Sequence, residues 1–272
     1  MTVGDALREA AEKLSDTSDS ARLDADLLMA HALETDREAM LLHHLDCECP
    51  TGFDELVARR VGHEPLAYII GHREFWSLDF AVGPGVLIPR PDSETLIETA
   101  CRALKDRPPA TILDLGTGSG ALLLAALSEW PEAQGLGVDR SEAALAYARK
   151  NAERLGLANR ARFRIGDWGA GEDGRYDLIL CNPPYVAPDA SLMADVADFE
   201  PDAALFAADG GLAAYRDIVP QLDVLLAAGG VACLELGAGQ SVPVSRLCAE
   251  HGLKSAVARD LADHARCLLI HN

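Results

Sequence analysis

The sequence is short of basic residues, of aromatic residues and of paired cysteines, and each shortage narrows the classes of function open to it. Its 272 residues hold 24 Lys and Arg against 43 Asp and Glu, a formal net charge of −19. A chain this acidic repels a phosphate backbone, whereas nucleic-acid binders present a basic face. Nucleic acid is therefore not expected as the main partner. A neutral or basic protein suits the charge, and so does solubility alone. Aromatics make up 5% of the chain, so a core must come from Ala, Leu, Val and Ile; the 49% hydrophobic content is enough to build one. Of seven cysteines, Cys47 and Cys49 flank one glutamate and the other five stand alone. No CxxC pair meets a second ligand pair, and the histidines add no ligand spacing, so no metal is expected. Scattered thiols suit a reducing cytosol. The opening MTVGDALREAAEKL lacks the basic start and apolar run of a signal peptide, and no apolar stretch is long enough to cross a bilayer. A cytoplasmic enzyme is the expectation. No Ser–His–Asp or Cys–His set points to a covalent mechanism.

What is present falls into three parts. Residues 1–73 carry apolar side chains at three- and four-residue steps, as at Ala6, Leu7, Ala10 and Leu14, and read as a small helical bundle. In residues 74–88, Phe75, Leu78, Phe80 and Val82 suggest strands and Gly83-Pro84-Gly85 suggests a turn, which together predict a β-hairpin linker. Residues 89–272 alternate apolar strands with helices. Strands are predicted at 110–115, 135–139, 161–167, 176–182, 230–236, 254–259 and 266–271. Ser141 is the expected cap of one of the helices between them. Such alternation predicts an α/β domain with a doubly wound, mainly parallel seven-stranded sheet.

Four successive strands end in polar motifs. Gly116-Thr117-Gly118-Ser119-Gly120 follows the first and opens a helix. Its glycines let the backbone turn sharply and approach a ligand. A GxGxG run also occurs in dinucleotide enzymes, and a tight structural turn would account for it in isolation. Asp139 ends the second strand, where a carboxylate can accept from two ribose hydroxyls. Asp167 and Trp168 end the third, where they could meet an adenine amino group and stack on its ring. Asn182-Pro183-Pro184-Tyr185 ends the fourth. Capping explains one acidic strand end more readily than four polar ones on the same sheet edge.

The last motif suggests methyl transfer to a planar NH2 group. Such a nitrogen is a poor nucleophile because its lone pair is delocalised. Two acceptors on its N–H groups would orient it and favour the positive charge that develops during attack. The Asn182 side-chain oxygen and the Pro183 carbonyl are the candidates. The prolines stiffen the backbone between them, and Tyr185 offers a flat face. The methylated nitrogen is strongly acidic, so no dedicated base is required. Strand alternation turns Cys181 toward the core.

Several segments then resemble one family. They are Arg60 with GHEPLAYIIG (62–71), FWSLDFAVGPGVLIPRPDSE (75–94), DLGTGSG (114–120), NPPY (182–185), FEPDAALFAADGGL (199–212), ELGAGQ (235–240) and RDLADHAR (259–266). Over nearly its full length the chain resembles the PrmC/HemK family, the protein-(glutamine-N5) methyltransferases that modify peptide chain release factors. The resemblance implies a class I, Rossmann-like methyltransferase domain using S-adenosyl-L-methionine, preceded by a helical domain that docks the release factor. It implies that Gly116 to Gly120, Asp139, Trp168 and Asn182 contact the cofactor. It also implies that Asn182 to Tyr185 hold the glutamine of a Gly-Gly-Gln loop. Arg90 and Pro91, in IPRPDSE, are expected to shape the substrate pocket; the alternative is a linker with Asp92 or Ser93 capping a helix. A lid is one reading of Phe199-Glu200-Pro201. Two positions depart mildly from the family: Ser93 stands where Thr is common and Phe199 where Tyr is common. Related enzymes that methylate a ribosomal-protein glutamine, or adenine in DNA, share NPPY. Those substrates, and a non-catalytic docking scaffold, are the competing expectations.

Overall fold

Apolar side chains at helical spacing give the first part of the chain five helices, Val3–Leu14, Ala21–Ala32, Arg37–His43, Phe53–Val61 and Leu66–Ile70, in a computed structural model that describes residues 1–272. The last of these, five residues long, escaped the sequence reading because Gly62 and Pro65 precede it. Thr2 and Asp36 cap the first and third by accepting from the Asp5 and Ala39 N–H groups. Val3, Leu7, Leu14, Leu28, Met29, Met40 and Phe53 form the unit's apolar centre. Arg60 is buried beside it. Its Nε donates to Asp24 Oδ2 at 2.8 Å, and the Ser18 and Ser20 hydroxyls donate to the same carboxylate. A buried charge kept this way has its hydrogen-bonding capacity met. Residues 192–199 belong to this unit, with Asp195 Oδ2 3.8 Å from Arg60 Nη1.

The second unit holds residues 73–191 and 200–272. It opens with a hairpin of β1 (His72–Phe75) and β2 (Leu78–Ala81). The hairpin turn lies at Trp76 and Ser77, not at Gly83-Pro84-Gly85 as the sequence suggested. Both turn residues have left-handed φ, 54° and 57°. A two-residue hairpin turn requires that conformation and glycine supplies it most easily. Here hydrogen bonds support it instead, from Trp76 N–H to Glu94 Oε1 and from the indole N–H to Glu129 Oε1, each 2.8 Å.

The main sheet comprises β3 (Thr111–Leu115), β4 (Gln134–Asp139), β5 (Ala161–Ile165), β6 (Tyr176–Cys181), β7 (Leu226–Glu235), β8 (Lys254–Arg259) and β9 (Ala265–His271). Its order is β5-β4-β3-β6-β7-β9-β8, parallel except where β9 pairs with β7 and β8. Alternation along the strands sends Ile112, Leu178 and Leu180 into one apolar layer. Leu113, Leu115, Ile179 and Cys181 enter the other. Helices Glu94–Ala103 and Ala121–Glu129 cover the first layer; Ala213–Leu225 and Ser241–Glu250 cover the second. Each buried Leu contributes roughly 2 kcal/mol of transfer free energy. Chain order reverses between β3 and β6, and ligands of such sheets gather beyond the carboxyl ends at that switch point. No helix is long and apolar enough to cross a membrane.

Candidate active site

The first wall of the site is the turn after β3. Gly116 has φ 72°, and a Cβ built on it would lie 3.2 Å from Cζ3 of Trp168. The missing side chain thus lets the indole sit close against the loop backbone. Asp139, at the end of β4, accepts from Gly118 N–H at 2.9 Å and from Ser141 N–H at 2.8 Å. A carboxylate offers about four acceptor sites, so two remain for a ligand. Behind the turn lies Asp114, fully buried. It accepts from the Thr117 hydroxyl at 2.6 Å, while its other oxygen has no partner. Burial pushes its carboxyl up to about 7. Asn151, also fully buried, clasps Ala81 through two bonds and donates to the Ser119 carbonyl at 2.9 Å. It ties the segment after the hairpin to the glycine turn.

The second wall is assembled from distant parts of the chain. In the β6–β7 ladder Cys181 stands opposite Leu234. The next residues, Asn182 and Glu235, therefore emerge side by side. Helix Glu94–Ala103 begins beside them, and Ser93 precedes it. The helix start expected there is present, but neither residue proposed as its cap serves that purpose. Ser93 makes no capping bond; its hydroxyl donates to Glu235 Oε2 at 2.5 Å and accepts from Asn182 Nδ2 at 3.2 Å. Asp92 pairs with Arg266 at 2.8 Å, and Arg266 also meets Asp260. The Tyr185 hydroxyl donates to Glu235 Oε1 at 3.0 Å. Burial raises the Glu235 carboxyl above its ordinary range, against the lowering effect of the Ser93 and Tyr185 hydrogen bonds and of Arg266. Burial also pushes the Tyr185 phenol and the Cys181 thiol upward, and Cys181 lies in the core as expected. Glu200 accepts from Ile88 N–H at 3.0 Å and pairs with Arg90. Its buried carboxylate clamps the IPRPDSE segment.

Both walls border one solvent-open cleft. Gly116, Thr117, Gly118, Ser119, Asp139, Asp167, Trp168, Asn182, Pro184 and Arg90 all line it, and Ser93 joins them. Four candidates do not. Gly120 lies at the helix start, packed against Leu124 and Ala148. Pro183 is buried and Pro91 points to solvent. Tyr185 packs against the layer containing Ile179 and Leu234, with its hydroxyl turned to Glu235. Glu235 was given no role by the sequence, Ser93 only that of a possible helix cap and Glu200 only a share in a possible lid, although each stands inside a quoted segment. The available signal was an acidic or hydroxyl residue within an otherwise apolar motif.

A mainly parallel seven-stranded sheet with its glycine turn and acidic strand end on one cleft defines a class I, Rossmann-like methyltransferase. Comparisons agree. Residues 5–71 match the PrmC N-terminal domain and residues 106–214 match a methyltransferase domain. A release factor glutamine methyltransferase of Rhodospirillum rubrum is 43% identical over 91% of this chain and 78% of its own. That of Caulobacter vibrioides is 36% identical over 99% of this chain and 96% of its own. Among solved structures, a methyltransferase from Pyrococcus furiosus superposes with a TM-score of 0.52 at 19% identity. The match covers 78% of this chain and 95% of that one, a likeness of fold. The chain belongs to the release factor glutamine methyltransferase family.

Proposed function

We propose that the protein transfers a methyl group from S-adenosyl-L-methionine to the side-chain amide nitrogen, N5, of the glutamine in the Gly-Gly-Gln loop of peptide chain release factors. The observation that carries the proposal is that Asn182 lines the same cleft as the glycine turn and Asp139, with its amide nitrogen engaged by Ser93. The cleft residues suit the donor. The bare Gly116 backbone leaves room for close approach, Asp139 retains two acceptor sites for a pair of hydroxyls, and Asp167 and Trp168 offer a carboxylate and a ring to an adenine. Bound there, S-adenosyl-L-methionine supplies a methyl activated by sulfonium charge.

The chain's own residues supply orientation. Asn182 Oδ1 accepts one N–H group of the target amide. The second falls to the Pro183 backbone carbonyl, which must be brought to the cleft when substrate binds because Pro183 is buried outside its lining. The two together fix the nitrogen and favour the charge it gains during attack. Pro184 borders the pocket beside them. Arg90, held by Glu200, shapes the approach, and Pro91, outside the cleft, contributes only by stiffening the backbone that follows Arg90. A platform role for Tyr185 needs its ring to turn from its place beside Glu235. The proton is lost to solvent once the nitrogen is methylated. Residues 1–73 dock the release factor, 74–88 link, and 89–272 carry out the transfer, in the cytoplasm. The relatives' names and the net charge of −19 support a protein substrate over a polynucleotide.

Purified protein, methyl-labelled donor and a purified release factor test this. Label on the Gly-Gly-Gln peptide is the expected result. Label on a ribosomal protein instead, or on polynucleotide with binding that weakens steeply with salt, would replace the substrate.

A further inference from the structure

We infer that Glu235 is a positioning residue: through the Ser93 hydroxyl it sets which end of the Asn182 amide faces the cleft. The kinetic consequences rest on the methyl-transfer reading above; the orientation itself does not.

An asparagine amide has nearly the same shape either way round, and only its partners decide where oxygen and nitrogen lie. A serine hydroxyl has one proton. Ser93 gives that proton to Glu235 Oε2, so it shows Asn182 only lone pairs. The amide must then direct Nδ2 at Ser93, which leaves Oδ1 for the cleft. The second carboxylate oxygen is fixed by the Tyr185 hydroxyl, so two O–H donors hold a carboxylate with no solvent exposure. The surrounding ionisable groups are Arg266 and Asp92, which pair with each other, together with Tyr185, Tyr215 and Cys181. Ionised Glu235 can only accept. Protonated, it becomes a donor itself. Ser93 can then turn its own proton toward Asn182, and the amide can reverse to present NH2 to the cleft. A reversed amide would oppose the N–H groups of the target instead of accepting them. Because burial raises the Glu235 carboxyl, acid should reach this switch before it reaches an exposed glutamate.

The register explains why this carboxylate was available. Cys181 pairs with Leu234, so the residue after each strand end is a neighbour across the sheet. Ser93 is brought between them by the start of the helix that covers β7.

The test uses the full chain with S-adenosyl-L-methionine. The sequence holds four asparagines, Asn151, Asn159, Asn182 and Asn272. Selective 15N-asparagine labelling therefore gives few side-chain amide signals, and that of Asn182 is the one lost in Asn182→Asp. Its position is compared with steady-state methylation of a release factor for wild type, Glu235→Gln, Ser93→Ala and Ser93→Thr. Glu235→Gln and Ser93→Ala should move the Asn182 signal and lower kcat about 100-fold, while cofactor Kd changes by less than about threefold. Ser93→Thr keeps the hydroxyl and should retain both the signal and the rate. The wild-type acid limb of kcat should be absent in Glu235→Gln. An unmoved signal with wild-type kcat overturns the inference. So does a loss in Ser93→Thr as large as in Ser93→Ala, which would mark a packing role. If wild type leaves the release factor unlabelled while the signal still responds to both variants, the substrate reading fails and the orientation by Glu235 stands.

Discussion

The two walls of the cleft each place a buried carboxyl at a strand end, and they treat it differently. Asp114, closing toward the glycine turn, receives one hydroxyl from three residues away and leaves an oxygen without a partner. Glu235 receives two hydroxyls, from residues 142 and 50 positions distant in the chain. The first wall is a local object: residues 114–120 with Asp139 define it, and its backbone N–H groups are tied by the next strand end. The second is a tertiary object whose parts come from before β3, after β6 and the end of β7. A local wall is suited to holding one constant ligand. A wall drawn from remote segments can be adjusted to a substrate by changing one segment at a time.

If that division is right, the largest kinetic effect belongs to the remote wall. Asn182→Ala should cost kcat on the order of 100-fold or more, near 3 kcal/mol of transition-state stabilisation, with a smaller fall in cofactor affinity. Rapid-quench methylation beside calorimetric titration of the cofactor reads both. A near-normal rate would remove Asn182 from the chemistry. The local wall should respond the opposite way. Asp139→Ala removes the acceptor for Gly118 and Ser141 N–H and is expected to weaken cofactor binding by about 2 kcal/mol, roughly 30-fold. At saturating cofactor its kcat should stay close to wild type. Unchanged cofactor affinity would break the assignment of the two walls.

The same contrast explains what the sequence disclosed. The seven strands of the sheet, and the helices Ala121–Glu129, Glu142–Arg154, Ala213–Leu225 and Ser241–Glu250, were legible because their periodicity is written in adjacent residues, and the Ser141 cap was visible for the same reason; the one-turn helices Ala194–Ala197, Asp202–Leu205 and Ala208–Gly211 are too short to show a period. The glycine turn and NPPY were legible as contiguous motifs at strand ends. The hairpin turn was misplaced because neither Trp76 nor Ser77 is a residue that favours left-handed φ, and the Glu94 and Glu129 carboxylates that hold Trp76 there are far away in sequence, while Ser77 N–H donates locally to Glu74. Glu200 looked like part of a lid because its partners, Ile88 N–H and Arg90, lie more than a hundred residues upstream. Ser93 looked like a helix cap for a related reason. Its actual partner depends on the β6–β7 register, which no local pattern records.

The isolated oxygen of Asp114 predicts a pH dependence of stability. Its carboxyl lies at about 7 in the folded chain, against about 3.9 for an unperturbed aspartate. Between those values the folded state binds one more proton than the unfolded state. Stability from this group is full below about pH 4 and is lost as pH rises toward 7, by up to about 1.4 kcal/mol per pH unit. Urea unfolding at pH 5, 6 and 7 should therefore show a flatter profile for Asp114→Asn than for wild type. Parallel profiles would show that the glycine turn satisfies this carboxylate after all, and the contrast with Glu235 would shrink.

The smallest effect is the most discriminating for Tyr185. Two roles make opposite demands on this residue. As a platform it needs only a ring; as a support for Glu235 it needs only a hydroxyl. Tyr185→Phe keeps the first and deletes the second. Loss of one donor to a buried carboxylate should lower stability by about 1 kcal/mol and leave one carboxylate oxygen without its hydroxyl. The remaining Ser93 bond still directs the Asn182 amide, so kcat should fall only a few-fold, far less than for Asn182→Ala. Its acid limb should also move upward, because the lost bond was one of those holding the Glu235 carboxyl down. Stopped-time methylation across pH, with thermal unfolding alongside, measures both. If Tyr185→Phe matches wild type in rate and acid limb while Tyr185→Ala is inactive, the ring is what matters. The second wall must then rearrange to bring that ring to the substrate.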